Sequence, residues 1–580
     1  FGHGSLLDRL PQRFLEVKKS ISLYIKREIA FDIADDLLLI DMARALSQNS
    51  SSVLYNIDLT LLLDKKNYWS EYVFRYADSN KVKFYSIKHF AHKANRTVQF
   101  FYHFFRTIAE YLCSFFMLSP DISKNKENKI GLPYYHFPNF IEVLNKRNYY
   151  LFWLRESQID PRRIIIYSDG PIDIDLNEKE KLDKKGIKAL ACNWLFKKIP
   201  KYIKKHKPGP GLMVLLMKNL SLSLKLLFSA RSRADFSLCQ IISVLLIRLP
   251  YWQDFFEVQN IKIKFRWHAH FSHREIAAKL CGAATVSYHY SNVSEATIDL
   301  TSQCIDDVYF VWGKEHQRCF INKHSDIKNI IHSGYIFDYT FKAFKDKADS
   351  LRNQLAGKGV RFVINLMTEN IVGIRRSGML QFCRALFDFI LKNKDTGLII
   401  KPKMRLTKNI LDNSRETGQL SRELQQEGRL IFLDSSKYPV EAAKSSDLSI
   451  GVFADSTASL ECVLAGIPTV IYECCFGEHM DHPYYREYRN KIIFYDINEL
   501  LKTITAYKQN KQSCSGFADW SSIIKERDSF CDGLANIRIG GYIKGLLNQF
   551  DSGLLKDNAI EKTNSLYADK FGQDKVVVLS

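Results

Sequence analysis

Two Rossmann-like domains of the α/β class, the first carrying helical insertions, are predicted from three features of the sequence. The chain has 580 residues, too many for one hydrophobic core. From about Arg361 onward, short runs rich in Ile, Val, Leu and Phe alternate with helix-length segments, as in a parallel sheet covered on both faces. Helix boundaries are marked chemically, by Ser272 with Glu275 and Asp496 with Glu499 at starts and by Gly282 and Gly466 at ends.

Six strands are expected in the second half: 361–367, 397–401, 429–433, 448–453, 469–472 and 491–495. Helices are expected over 377–392, through about Gln425, and over 497–509. In the first half, strands are expected at 52–57, 81–86, 163–167, 261–267, 284–289 and 308–311, with helical insertions near 90–160 and 175–255. The implied division is 1–334 for the first domain, 335–510 for the second, and 511–580 for a helical segment that packs back on the first domain, with a linker near 335–358.

Hydrophobic residues at 46% and charged residues at 25% describe a globular chain. Lys and Arg number 83 against 63 Asp and Glu, a formal charge of +20 that suits an anionic partner. No zinc-finger spacing or RNA-recognition signature is present, so nucleic acid is not the expected partner. The twelve cysteines form no CxxC pair and read as reduced thiols of a cytoplasmic protein. The chain opens Phe1-Gly2-His3-Gly4-Ser5, as a trimmed end would, and no signal-peptide pattern follows. The apolar stretch 211–228 is broken by Lys218, Asn219 and Lys225 and reads as a poor membrane span. Just before it, residues 194–207 (WLFKKIPKYIKKHK) mix aromatics with six lysines, a pattern suited to the anionic inner face of the plasma membrane.

The strongest chemical signal is 446–473, SDLSIGVFADSTASLECVLAGIPTVIYE. A buried strand runs into a polar turn and a short helix closed by Gly466 and Pro468. A helix N-terminus at the carboxyl end of a parallel strand offers unpaired N–H groups and a positive dipole end to phosphate. Asp455, Ser456, Thr457 and Ser459 add polar groups, and Glu461 is placed to meet a ribose hydroxyl. Lys401-Pro402-Lys403-Met404-Arg405 puts three cations after the second strand, and Glu369 sits in the loop after the first. The histidines His268, His270 and His273 admit a zinc reading, but polar loops lining an acceptor cleft, with His270 as acid or base, are the preferred one.

The run D-S-T-A-S-L-E followed by V-L-A-G-I-P-T-V resembles the nucleotide-binding segment of GT-B glycosyltransferases, especially the Kdo-transferring and sialyltransferase-like enzymes of bacterial capsule, lipopolysaccharide and surface-polysaccharide synthesis. The likeness covers about residues 360–480 and is shared with CDP-glycerol-type phosphotransferases and UDP-sugar 2-epimerases. It implies two Rossmann-like domains facing across a cleft, with the donor nucleotide on the second. It also implies a catalytic carboxylate in Tyr167-Ser168-Asp169-Gly170, with Asp169 as general base in an inverting reaction, whereas in a retaining one a carboxylate would attack the anomeric carbon. Where sialyltransferase-like enzymes carry His-Pro, this chain has Lys401-Pro402. The expected activity is transfer of a sugar, such as Kdo or another acidic sugar from a CMP donor, to a surface or lipid-linked glycan without an obligatory metal or cofactor. A CDP-alditol phosphotransferase, a sugar-nucleotide epimerase and a non-catalytic glycan- or lipid-binding assembly factor are the alternatives.

Overall fold

The computed structural model describes residues 10–29, 61–64, 70–79, 84–87, 101–102, 104–109, 111–112, 127–134, 151–168, 176–192, 203–209, 211–230, 233–267, 272–291, 304–321, 325–368, 375–405, 407–415, 417–453, 456–474 and 486–579. Two short strands, β1 (Leu61–Asp64) and β2 (Phe84–Ile87), pair in parallel as a separate sheet. The main sheet of the first domain holds β3 (Lys129–Pro133), β4 (Ile164–Ser168), β5 (Lys188–Ala191), β6 (Lys204–Lys205), β7 (Ile261–Trp267), β8 (Ala284–Tyr288), β9 (Val308–Val311) and β10 (Asn329–His332). These eight are mutually parallel, in the order β6-β5-β4-β3-β7-β8-β9-β10. The second sheet holds β11 (Phe362–Met367), β12 (Thr396–Lys401), β13 (Leu430–Phe432), β14 (Leu448–Gly451), β15 (Thr469–Tyr472) and β16 (Ile493–Phe494), all parallel, in the order β13-β12-β11-β14-β15-β16. A last strand, β17 (Val576–Val578), returns to the first sheet and pairs antiparallel with β10.

Both sheets therefore reverse their winding once, at β3/β7 and at β11/β14, as doubly wound sheets do. The predicted fold class is the one observed. Alternation along the strands explains why both faces are covered. In β11, Phe362, Ile364 and Leu366 enter one apolar cluster while Val363 and Met367 enter another. In β4, Ile164 and Ile166 face one cluster and Ile165 and Tyr167 the opposite one.

The two faces of the first sheet are closed by chain from different places. One is covered by α1 (Gly211–Phe228), α2 (Arg233–Val258) and α3 (His273–Leu280), with the helix over 18–29. The other is covered by α4 (Ala535–Asp551) and α5 (Lys556–Phe571), contributed by the far end of the chain. Gly540 makes that docking possible, because a Cβ there would stand 2.4 Å from the Trp153 carbonyl oxygen. Tyr567 Oη donates to the His332 carbonyl at 2.6 Å, and Asn564 Nδ2 donates to Asn329 at 2.8 Å.

Several first-half expectations need correction. The stretch 90–160 is not simply an insertion, since it contains β3, at the reversal point of the sheet. Likewise 175–255 contains β5 and β6, and the inserted helices are α1 and α2. The strand expected at 81–86 is β2, outside the main sheet, and the one at 52–57 lies outside the described residues. The described cysteines are free thiols.

The segments joining the two halves carry paired acids. Asp528 accepts the Tyr335 and Phe530 amides at 2.8 Å, and Asp338 accepts the Gly533 amide at 2.9 Å. Burial and then the neighbouring Asp528 push the Asp338 carboxyl up to about 8. The folded state thus holds a proton that the unfolded chain releases near 3.8, the ordinary value for an aspartate. Stability from the protonated acid is complete below that value and is lost at about 1.4 kcal/mol per pH unit as pH rises toward about 8. The Asp338→Asn variant is expected to show a shallower fall of unfolding midpoint across this window than the parent. Equal slopes in a thermal-unfolding series would place the titration elsewhere.

Candidate functional site

The reversal point of the second sheet gathers the residues singled out in sequence. In register, Met367 at the end of β11 lies opposite Lys401 of β12 on one side and Gly451 of β14 on the other. Beyond them, the Thr368 amide donates to the Lys401 carbonyl at 3.2 Å, and the Lys403 amide to Thr368 Oγ1 at 3.3 Å. The helix Thr457–Leu464 starts at this edge and ends before Gly466, whose φ of +79° is the expected left-handed stop.

Ser456 occupies the N-cap position with extended backbone, yet its hydroxyl makes no capping bond. The ordinary structural use of a serine at a helix start is therefore not in force here. The first-turn amides have no intrahelical acceptor, as at every helix start. Ser459 is buried at 1% exposure, and its Oγ has no hydrogen-bond partner. Gly451 brings this turn close to the strand, because a Cβ at Gly451 would lie 2.0 Å from Ser459 Oγ. The helix start, with its first-turn amides, thus lies at the carboxyl edge of a reversal point.

The flanking cations are placed unequally. Lys401 is buried, and its Nζ donates to the carbonyls of Pro402 at 2.7 Å and Ser435 at 3.1 Å. Lys403 and Arg405 are exposed at the same edge. Hydrogen bonds from Ser436, then the charges of Arg405 and Lys401, hold the Asp434 carboxyl below its ordinary value. Asp455 and Glu369 lie outside the described residues.

Glu461 is placed differently from the expectation of a ribose contact. It is buried at 2% exposure, and its Oε1 accepts the phenol of Tyr335, itself fully buried. Tyr335 follows β10 and stacks edge-on against Trp312, with ring centroids 4.7 Å apart. Sequence reasoning missed Tyr335, because nothing local links positions 126 residues apart. The role of Gly451 was also missed, although a glycine inside an otherwise apolar strand is a signal of close backbone approach.

In the first domain, β4 ends at Ser168 and β7 at Trp267, on either side of β3. Asp169 and His270 follow these strands and lie outside the described residues, as does His268. The third histidine of the spacing, His273, packs near Trp252 with ring centroids 6.3 Å apart. Burial, then Arg248 and Arg274, pushes it well below the ordinary imidazole range. Among the described residues no group of three or more His, Cys, Asp or Glu is arranged to hold a metal.

What fixes the start of α3 is an ion cluster. The Ser272 amide donates to Glu275 Oε2 at 2.6 Å in a capping box, and Glu275 Oε1 also receives Lys264. Arg266 lies 3.5 Å from Glu275 and bonds Asp306 at 2.8 Å. Burial alone would raise the Glu275 carboxyl, but Lys264, Arg266 and Arg274 together hold it below its ordinary value. Burial, against the pull of Glu275, brings Lys264 down to about 8.

No protein-family model and no curated protein sequence matches the chain. Solved structures similar in fold include the wall teichoic acid polymerase TagF, 11% identical with a TM-score of 0.40 over 78% of this chain and 99% of that one. A UDP-GlcNAc 2-epimerase from Neisseria meningitidis bound to UDP-GlcNAc is 11% identical, with a TM-score of 0.38 over 72% and 100%. Anabaena Alr3699/HepE in complex with UDP and glucose is 14% identical, with a TM-score of 0.36 over 71% and 97%.

Removing the Tyr335 hydroxyl leaves a buried carboxylate oxygen without that donor. Tyr335→Phe is expected to lower unfolding stability by about 1–3 kcal/mol, read as a shift in denaturant midpoint. An unchanged midpoint would show that the bond contributes nothing net. Gly451→Ala forces Ser459 off the strand and is expected to destabilise by about 1–3 kcal/mol in the same measurement.

Proposed function

We propose that the chain is a glycosyltransferase whose second domain binds the phosphate of a nucleotide sugar at the start of the helix Thr457–Leu464. The single observation that carries this reading is the N-cap Ser456, whose hydroxyl makes no cap hydrogen bond at the carboxyl edge of the β11/β14 reversal. Lys403 and Arg405, exposed at the same edge, supply positive charge toward a departing nucleotide phosphate. Lys401 is tied to two carbonyls, so its contribution is to hold the neighbouring loops.

In this reading the donor is a CMP-activated acidic sugar such as Kdo, and the acceptor is a surface or lipid-linked glycan. Such a donor and acceptor suit the net charge of +20. Asp169, one residue beyond the end of β4, takes the proton of the acceptor hydroxyl as the new glycosidic bond forms and the bond to the nucleotide phosphate breaks. His270, three residues beyond β7 in sequence, assists as acid or base. The chemistry requires no resident metal, because amides, hydroxyls and cations of the second domain meet the charge of the leaving phosphate.

A thermal-shift panel of CMP, CDP, UDP, GDP and ADP, with and without magnesium, tests the donor assignment. A ligand that binds the folded state alone stabilises it by mass action, by about 2.7 kcal/mol at a hundredfold excess over Kd, and so raises the midpoint. Stabilisation by CMP without magnesium is expected, and Ser456→Ala is expected to weaken it about tenfold, the loss of one hydrogen bond to a charged group. Stabilisation by UDP alone would redirect the donor to a UDP-sugar, and silence from every nucleotide would overturn the transferase reading. Asp169→Ala is expected to keep the nucleotide shift while abolishing transfer; retained transfer would remove Asp169 from the base role.

A further inference from the structure

We propose that α1 docks in the plane of an anionic bilayer through the face it turns away from the protein. The helix is long and apolar enough to cross a membrane, but only a third of it is buried in the protein. Its inner face is fixed by polar pins as well as by packing. Asn219 Nδ2 donates to the Leu246 carbonyl of α2 at 2.7 Å, Arg13 donates to Asn219 Oδ1 at 2.5 Å, and Leu212, Leu216, Leu226 and Leu227 join the core. A helix crossing the bilayer alone would lose those contacts and bring Asn219 and two lysines into hydrocarbon. An in-plane pose keeps them.

The outer face has the composition such a pose needs. Val214, Met217, Leu224 and Phe228 are 56%, 57%, 41% and 86% exposed, at spacings that place them along one stripe. Lys218 and Lys225 are exposed beside them, and α1 contains no acidic residue. Large apolar side chains flanked by lysines on one helix face suit the headgroup boundary of an anionic membrane.

A second, separate segment of the same helical layer shows the same habit. Phe101, Tyr102 and Phe105 are 38%, 59% and 61% exposed, while Phe104 and Tyr111 of that helical stretch pack into the α1–α2 core. Tyr111 stacks on Tyr251 of α2 with centroids 5.1 Å apart. A second copy of the chain is a poorer occupant, because a two-fold contact through α1 would bring the same lysines of two +20 molecules together. The inference is independent of which group the second domain binds.

Co-sedimentation of the full chain with vesicles of phosphatidylcholine alone, and of phosphatidylcholine with phosphatidylglycerol, tests it. The parent is expected to sediment with the anionic vesicles and to be released by salt. Met217→Ser with Phe228→Ser is expected to weaken binding at least about tenfold. Lys218→Gln with Lys225→Gln is expected to weaken it by about fivefold per lysine. All four positions are exposed, so the variants should keep the parent's unfolding midpoint and its nucleotide response, which separates this test from that of the donor site. A parent that ignores anionic vesicles, or variants that bind as the parent does, would overturn the proposal. So would a parent dimer that the variants dissolve without any lipid.

Discussion

The buried contact between Tyr335 and Glu461 ties the helix Thr457–Leu464, at the carboxyl edge of the second sheet, to the segment by which the chain leaves the first. A carboxylate at 2% exposure is tenable only with partners, and the Tyr335 phenol is one of them. The same tyrosine gives its amide to Asp528 of the returning segment and its ring to Trp312 of the first domain. Around it, Phe344 packs on Tyr438 with centroids 4.9 Å apart, and Lys444 Nζ donates to the Phe341 carbonyl at 2.8 Å. The position of the helix start relative to the first domain is thus set by packed side chains and not by a loop.

With that helix held, strand register does the rest. Met367 stands between Lys401 and Gly451, so one level of the sheet presents the end of β11, a basic turn and a close-packed helix start together. The dipole of a single helix is worth only about 0.3–1 kcal/mol, whereas each hydrogen bond to a charged phosphate is worth about 1.5–3 kcal/mol. In the proposed reading, affinity for a phosphate would therefore rest on how many amides and hydroxyls meet it. Gly451 admits Ser459 to within contact of the strand and so sets how closely the helix start approaches it.

The second domain was legible in sequence because its strands are short, largely buried runs rich in β-branched or large apolar residues, and several of its helices carry marked ends. The helix Ile497–Gln509 begins where Asp496 accepts two amides, as its sequence announces. The first domain showed β4, β7, β8 and β9 in its sequence but hid β3, β5 and β6. β3 reads Lys-Ile-Gly-Leu-Pro, with two residues that argue against a strand, and survives because Gly131 lies against Ile261 and Tyr167. β5 reads Lys-Ala-Leu-Ala, a helical composition overridden by pairing with β4. Of the proposed site, the serines and the basic turn were legible from local pattern. The partner of Glu461 was not, because it is set by the approach of segments 126 residues apart.

Amide hydrogen exchange of the full chain, with and without saturating CMP, tests the central claim most directly, since it reads the helix start itself. Protection is expected in peptides spanning Gly451–Leu464 and Lys401–Arg405, with the first domain's sheet unchanged. Protection confined to the first domain, or none in Gly451–Leu464 with a bound nucleotide, would contradict the placement of the phosphate at this edge.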